Sequence, residues 1–320
     1  SSKIKTILEN INNSEGIIFI YSRFVWAGIV PLALALEYNG FTNVNGNLLS
    51  VSDSKKKDIK NIKTREGTFP AKYMIISGDA DLSSNVYYNY IKRESENKNG
   101  ERVKVILGSE SAAEGLDFKY IREVHVLDPW HHLNKIEQVK GRGIRYCSHI
   151  DLPLAFRNVS VFLYASVKSL IPKNDPETID LKIYREAEIK DKHMANVEYI
   201  LKTNSVDCSL NLHGNKFIGE EFSKKIMMKN SKNETIMVKL EDTDGSKLCN
   251  YKKCDFKCNP NLPENINETK LDIDTFDIEM IKDNLLEVVE VIKNMYQEDS
   301  IFSLKDIESD LTIKDIFNKQ

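Results

Sequence analysis

Three polar residues stand at helical spacing near the middle of this chain: Gln138, Arg142 and Arg145, at i, i+4 and i+7. If the segment is helical, all three project from one face. Two guanidinium groups side by side suit a triphosphate, because arginine is planar, permanently charged and bonds phosphate oxygens in pairs. In phosphoryl transfer such an arginine neutralises charge that develops in the transition state. Alone, the same residues would be an ordinary solvated basic helix. Upstream, however, lies a loop of small and hydroxyl residues, Ser109 to Phe118, that contains Ser109, Ser111, Gly115 and Asp117.

An alternating pattern supplies elements to hold these residues. Gly16 to Tyr21 is a continuous apolar run, the signature of a strand buried on both faces. A helix is expected over Val25 to Tyr38, closed by Asn39-Gly40, and residues 42–70 read as a long polar excursion. Strand character returns at 72–77, 103–107, 123–127 and 158–163, with helical patches at 83–94 and 133–142. Strand and helix in alternation predict an α/β fold, a parallel sheet flanked by helices with right-handed crossovers. Ligands in such sheets sit beyond the carboxyl ends of the strands. Ser22-Arg23, Ser77-Gly78-Asp79, Gly108-Ser109 and Asp128-Pro129 are expected there.

Order and spacing along the first 165 residues resemble the second RecA-like domain of superfamily 2 helicases and translocases. Ser109 to Phe118 matches the family's fifth motif, which ends in Gly-Leu-Asp, and Gln138 to Arg145 matches the sixth, Gln-x-x-Gly-Arg-x-x-Arg. The run from Glu114 to His149, with the following Leu-Pro and Arg157 to Ala165, is similar to the helicase branch of large nuclear DNA viruses. That branch includes the poxvirus early transcription factor small subunit and nucleoside triphosphate phosphohydrolase. The resemblance implies that Gln138, Arg142 and Arg145 serve catalysis. Gly115 and Asp117 would lie at the nucleotide, with Asp117 either contacting the ATP ribose or steadying the arginines. Ser22, Arg23, Ser77, Gly78, Ser109 and Ser111 would contact a nucleic-acid strand, DNA before RNA.

No Gly is followed by Lys, so the chain has no phosphate-cradling Gly-x-x-x-x-Gly-Lys-Ser/Thr loop, and it has no Asp-Glu pair to hold Mg2+. It is therefore expected to be the C-terminal part of a longer ATPase, with ATP and Mg2+ bound jointly with an N-terminal RecA-like lobe, and inactive alone. A net charge of −3 means that nucleic-acid contact must come from a local groove. The apolar stretch Ile17 to Leu36 contains Ser22, Arg23 and Pro31, which argues against a membrane span. Five cysteines without a secretory signal argue against disulfides and for a cytoplasmic protein, in host cytoplasm or virion if viral.

Three regions are expected: a RecA-like domain over 1–170, a helical extension over 171–210, and an accessory region over 211–320. Asp175-Pro176-Glu177 reads as the start of the extension's helix, with a break near Lys190-Asp191. In the accessory region Cys249, Cys254 and Cys258 cluster, and Cys208 or His213 could complete a small structural Zn2+ element. Residues 228–235 and 259–269 read as loops. A helix over Phe276 to Tyr296 and another from Ser303 could open a winged-helix-like module. His125, in an apolar strand, is expected as a hydrogen-bonded core residue. His131 and His132 lack further metal ligands at suitable spacing. A competing reading is an inert scaffold that binds RNA polymerase or another transcription factor.

Overall fold

The computed structural model describes residues 2–49, 59–64, 66–83, 90, 94–110, 117–167, 177–259, 278–298 and 301–309. They belong to two compact units, Ser1–Asn261 and Leu262–Gln320. The first opens with an amphipathic helix, α1 (Ser2–Asn13), and β1 (Ile17–Tyr21), whose five residues are all buried. A π-helical turn (Val25–Ile29) runs into α2 (Val30–Tyr38), which carries Pro31 in its first turn, where a missing N–H does no harm. Gly40, at φ +85°, ends the helix as expected. The excursion that follows holds β2 (Thr42–Asn43) and a hairpin of β3 (Asn61–Thr64) and β4 (Gly67–Pro70).

Next come β5 (Lys72–Ile76), a short α3 (Ala80–Ser83), β6 (Val105–Gly108), β7 (Ile121–Val126), α4 (Leu133–Lys140) and β8 (Ser160–Leu163). The sheet order is β2-β5-β6-β1-β7-β8, and every pairing in it is parallel. Alternate residues of β1 feed two apolar layers, Ile17 and Phe19 on one face and Ile18 and Ile20 on the other. Each such side chain contributes roughly 1.5–3 kcal/mol on burial. The expected α/β, RecA-like parallel sheet is what the chain forms. Of the helix expected at 83–94, residues 84–89 and 91–93 lie outside the described residues.

Beyond the sheet, α5 (Ile179–Asn204) packs against α4. It runs unbroken through Lys190-Asp191, where a break was expected. Asp191 is buried there by partners, accepting from Lys247 Nζ at 2.8 Å and Tyr251 Oη at 2.6 Å. The expected cap Asp175 lies outside the described residues, and Thr178 occupies the N-cap position. After two short helices, α6 (Cys208–Asn211) and α7 (Glu220–Ser223), strands β9 (Lys225–Lys229) and β10 (Thr235–Lys239) form an antiparallel hairpin. Residues 228–235, expected as a loop, thus form paired strand and turn. The hairpin docks beside the sheet, because Lys229 O accepts from Arg122 Nη2 at 2.7 Å and Asn158 Nδ2 at 2.9 Å. The second unit contains α8 (Ile278–Glu298) and α9 (Leu304–Ser309), and among its described residues there are no strands to form a wing. No helix among the described residues is long and apolar enough to cross a membrane.

The cysteines depart from expectation. Cys208 pairs with Cys258 and Cys249 with Cys254, as two disulfides, while Cys147 is free and exposed. Sulfurs consumed in pairs cannot act as the four thiolates that zinc needs. Among the described residues no group of three or more His, Cys, Asp or Glu could hold a metal. The four cysteines therefore do not fit the expected Zn2+ element, and His213 supplies no substitute. The Cys208–Cys258 bond closes a loop of 50 residues in sequence, which in the chain-entropy account stabilises by about 4 kcal/mol. A reductant should lower the melting temperature of the protein by several degrees, and Cys208→Ser should do the same while Cys147→Ser does not. An unchanged melting temperature in reductant would contradict the pairing.

Candidate functional site

The residues expected to do chemistry fall into two groups, at opposite ends of β7. At its carboxyl end, Ser22 follows β1 and is fully buried. Its hydroxyl donates to Asp128 Oδ2 at 2.5 Å and accepts from the Phe24 amide at 3.2 Å. Gly28 packs so closely that an added Cβ would lie 2.0 Å from Ser22 Oγ. Ser22 therefore ties the loops after β1 and β7 together and cannot meet a phosphate as expected. Ser109 is likewise 3% exposed, with its amide bonded to Ile76 O at 2.9 Å. Ser77 is half-buried and turns its hydroxyl to the Asp79 amide and Ser83. Gly78 and Arg23 are the open members of the group. The Arg23 guanidinium lies 4.0 Å from the Trp130 ring centroid, in stacking range. Ser111 and Gly115 lie outside the described residues.

The second group gathers near the amino end of β7. Helix α4 ends at Lys140 with Gly141 as its cap, so Gln138, Arg142 and Arg145 do not share one helix face. A Cβ at Gly143 would stand 2.6 Å from Val124 Cγ2 and 3.2 Å from Ile121 Cγ2, so only glycine lets this segment press against β7. Gln138 is exposed on the last turn, Arg142 is 9% exposed and turned into the fold, and Arg145 is exposed in the following turn. Arg145 Nη1 donates to Asp117 Oδ1 at 2.6 Å. The side chains of this pair are 38% and 61% exposed, which marks it as an interaction worth at most about 1 kcal/mol.

Backbone contacts hold that pair in place. Tyr120, three residues after Asp117, and Cys147, two after Arg145, adopt left-handed φ of 62° and 59°, strain that non-glycine residues accept only when their surroundings enforce it. The Tyr120 amide donates to Ser148 O at 3.1 Å, and Tyr120 Oη donates to Asp151 Oδ2 at 2.6 Å. The latter bond holds the Asp151 carboxyl below the usual carboxylate range. His149 bridges the same two segments, its Nε2 meeting Ile121 O at 2.7 Å and its Nδ1 meeting Ser148 Oγ at 2.8 Å. Burial pushes the His149 imidazole below its ordinary pKa, with the Arg122 charge adding to the effect and the bond to Ile121 opposing it. The neutral ring with its proton on Nε2 satisfies the Ile121 carbonyl. Tyr120, Ser148 and His149 lie within the run that is similar to the viral helicases, but their roles depend on contacts between segments. His125 is fully buried between Tyr164 Oη at 2.7 Å and Glu123 Oε2 at 2.8 Å, the core histidine expected.

A parallel sheet that brings Asp117 to the Arg145 turn is that of a superfamily 2 helicase domain, and the relatives place the chain with the helicases of large DNA viruses. A putative ATP-dependent RNA helicase of Acanthamoeba polyphaga mimivirus is 33% identical over 69% of this chain and 35% of its own length. A second mimivirus protein of that description is 28% identical over 96% of this chain and 29% of its own length. A termination factor NPH-I homolog of African swine fever virus is 30% identical over 66% of this chain and 33% of its own length. The chain thus spans about a third of the length of these relatives. No family model matches it. A solved structure, the C-terminal part of the Fun30 ATPase domain, superposes with a TM-score of 0.38 at 14% identity, over 58% of this chain and 45% of that one.

The lowered pKa of His149 gives a signed expectation. A depressed folded value means a stabilising contribution fully present above the unfolded pKa of about 6.5 and lost as pH falls through the lower folded value. Between pH 7 and pH 5 the melting temperature should fall less steeply in His149→Gln than in wild type. Equal slopes would contradict the assignment.

Proposed function

We propose that this chain supplies one lobe of a two-lobe, nucleic-acid-dependent ATPase, a helicase or translocase that works in viral transcription or replication. The observation that carries the reading is the Arg145–Asp117 pair, exposed at the surface and held by strained backbone on both sides. A partner worth at most about 1 kcal/mol orients Arg145 without sequestering it. A triphosphate offers more charge and paired oxygens, so it can draw the guanidinium from Asp117 onto its terminal phosphate. Arg145 then acts as an arginine finger, neutralising charge in the transition state. Arg142, turned inward, shapes that turn, and Gln138 stands exposed beside it.

ATP would bind between this lobe and a second RecA-like lobe that carries the phosphate loop and the Mg2+ ligands, since this chain has neither motif. This chain alone should not hydrolyse ATP. Arg23 and Gly78, at the carboxyl ends of the strands, would grip a nucleic-acid strand, DNA before RNA, and cleft closure would drive stepwise movement. Two of the relatives are named RNA helicases and one a termination factor. The latter name supports work alongside RNA polymerase. In the two-lobe protein, Arg145→Ala should lower the ATPase rate roughly 10³-fold at an unchanged melting temperature. A normal rate in the folded variant would remove the finger assignment.

A further inference from the structure

We propose that Phe24 and Trp26, on the π-helical turn after β1, form a stacking platform for unpaired bases of the nucleic-acid strand; this rests on the reading of that strand edge as a nucleic-acid face. Trp26 is 71% exposed and Phe24 50% exposed, whereas their neighbours Gly28 and Ile29 are buried. The turn carries one residue more than an α-helix would, with the Ile29 amide bonded to Phe24 O at 3.0 Å and the Val30 amide to Val25 O. Single π turns are rare and concentrate at functional positions. Here the turn seats Gly28 against Ser22 while leaving Trp26 in solvent.

The turn is rigid at its base. The Ser22 hydroxyl accepts from the Phe24 amide and donates to Asp128, so the aromatic rings are presented by a fixed backbone, which lowers the entropy lost on binding. Arg23 lies beside Phe24 and Trp130, its guanidinium 5.7 Å from the Phe24 ring centroid and 4.0 Å from the Trp130 ring centroid. Exposed ring faces beside a stacked cation are the chemistry that holds single strands, bases on the rings and phosphate on the guanidinium.

The test is equilibrium binding of the 320-residue chain at low salt to fluorescent oligo(dT), oligo(U) and an abasic strand of equal length. Trp26→Ala should weaken oligo(dT) or oligo(U) binding roughly 5- to 150-fold, the range of one lost stacking contact, and leave abasic binding unchanged. Trp26→Phe should restore most of it. In Trp130→Phe, where Trp26 is the sole tryptophan of two, base-containing strands should quench its fluorescence and the abasic strand should not. Wild-type protein that binds no strand would overturn the nucleic-acid reading itself. Wild-type protein that binds every strand, with Trp26→Ala indistinguishable from it, would overturn the platform alone.

Discussion

Strands β1, β6 and β7 are buried along their whole length, and this one constraint locates the chemistry. A strand covered on both faces can offer only packing along its length, so reactive side chains are pushed to the loops at its two ends. The carboxyl ends receive Arg23, Gly78 and the exposed aromatic turn. Near the amino end of β7 stand Asp117 and Arg145. The separation has a mechanical meaning. A nucleic-acid strand and a nucleotide would touch the same rigid sheet at different ends, so movement of one lobe against another couples the two without deforming either.

Glycine and strain set the detail around Asp117 and Arg145. Close packing of Gly143 on Val124 and Ile121 leaves no room for a side chain at that position. The chain leaves α4 at Lys140, buries Arg142 and turns Arg145 outward. Left-handed residues at Tyr120 and Cys147, with His149 spanning Ser148 and Ile121, then hold the two segments in register. An exposed ion pair contributes little to stability, so the Asp117 contact serves orientation, and its weakness allows the exchange that the proposed mechanism requires.

Much of the architecture was legible because it is local. Runs such as Ile17 to Tyr21 and the Asn39-Gly40 stop report strands and caps through the backbone's own preferences, and likeness to known motifs singled out Asp117, Arg142 and Arg145. What stayed hidden depends on residues distant in sequence. Nothing near Asp191 tells that Lys247 and Tyr251 will cover it and keep α5 whole. Polar 228–235 reads as loop until Arg122 and Asn158 bind Lys229. Cysteine spacing suggested a metal, whereas pairing is a matter of which sulfurs meet. Ser22 looked like a phosphate ligand because its burial against Asp128 is a tertiary fact.

The central claim is that Arg145 exchanges Asp117 for the terminal phosphate. The most direct measurement is a structure of the two-lobe protein with a transition-state analogue of ATP hydrolysis, such as ADP with aluminium fluoride. In that structure the Arg145 guanidinium should lie within hydrogen-bonding distance of the fluoride group and be separated from Asp117. Arg145 still paired with Asp117, while another residue contacts the fluoride, would contradict it.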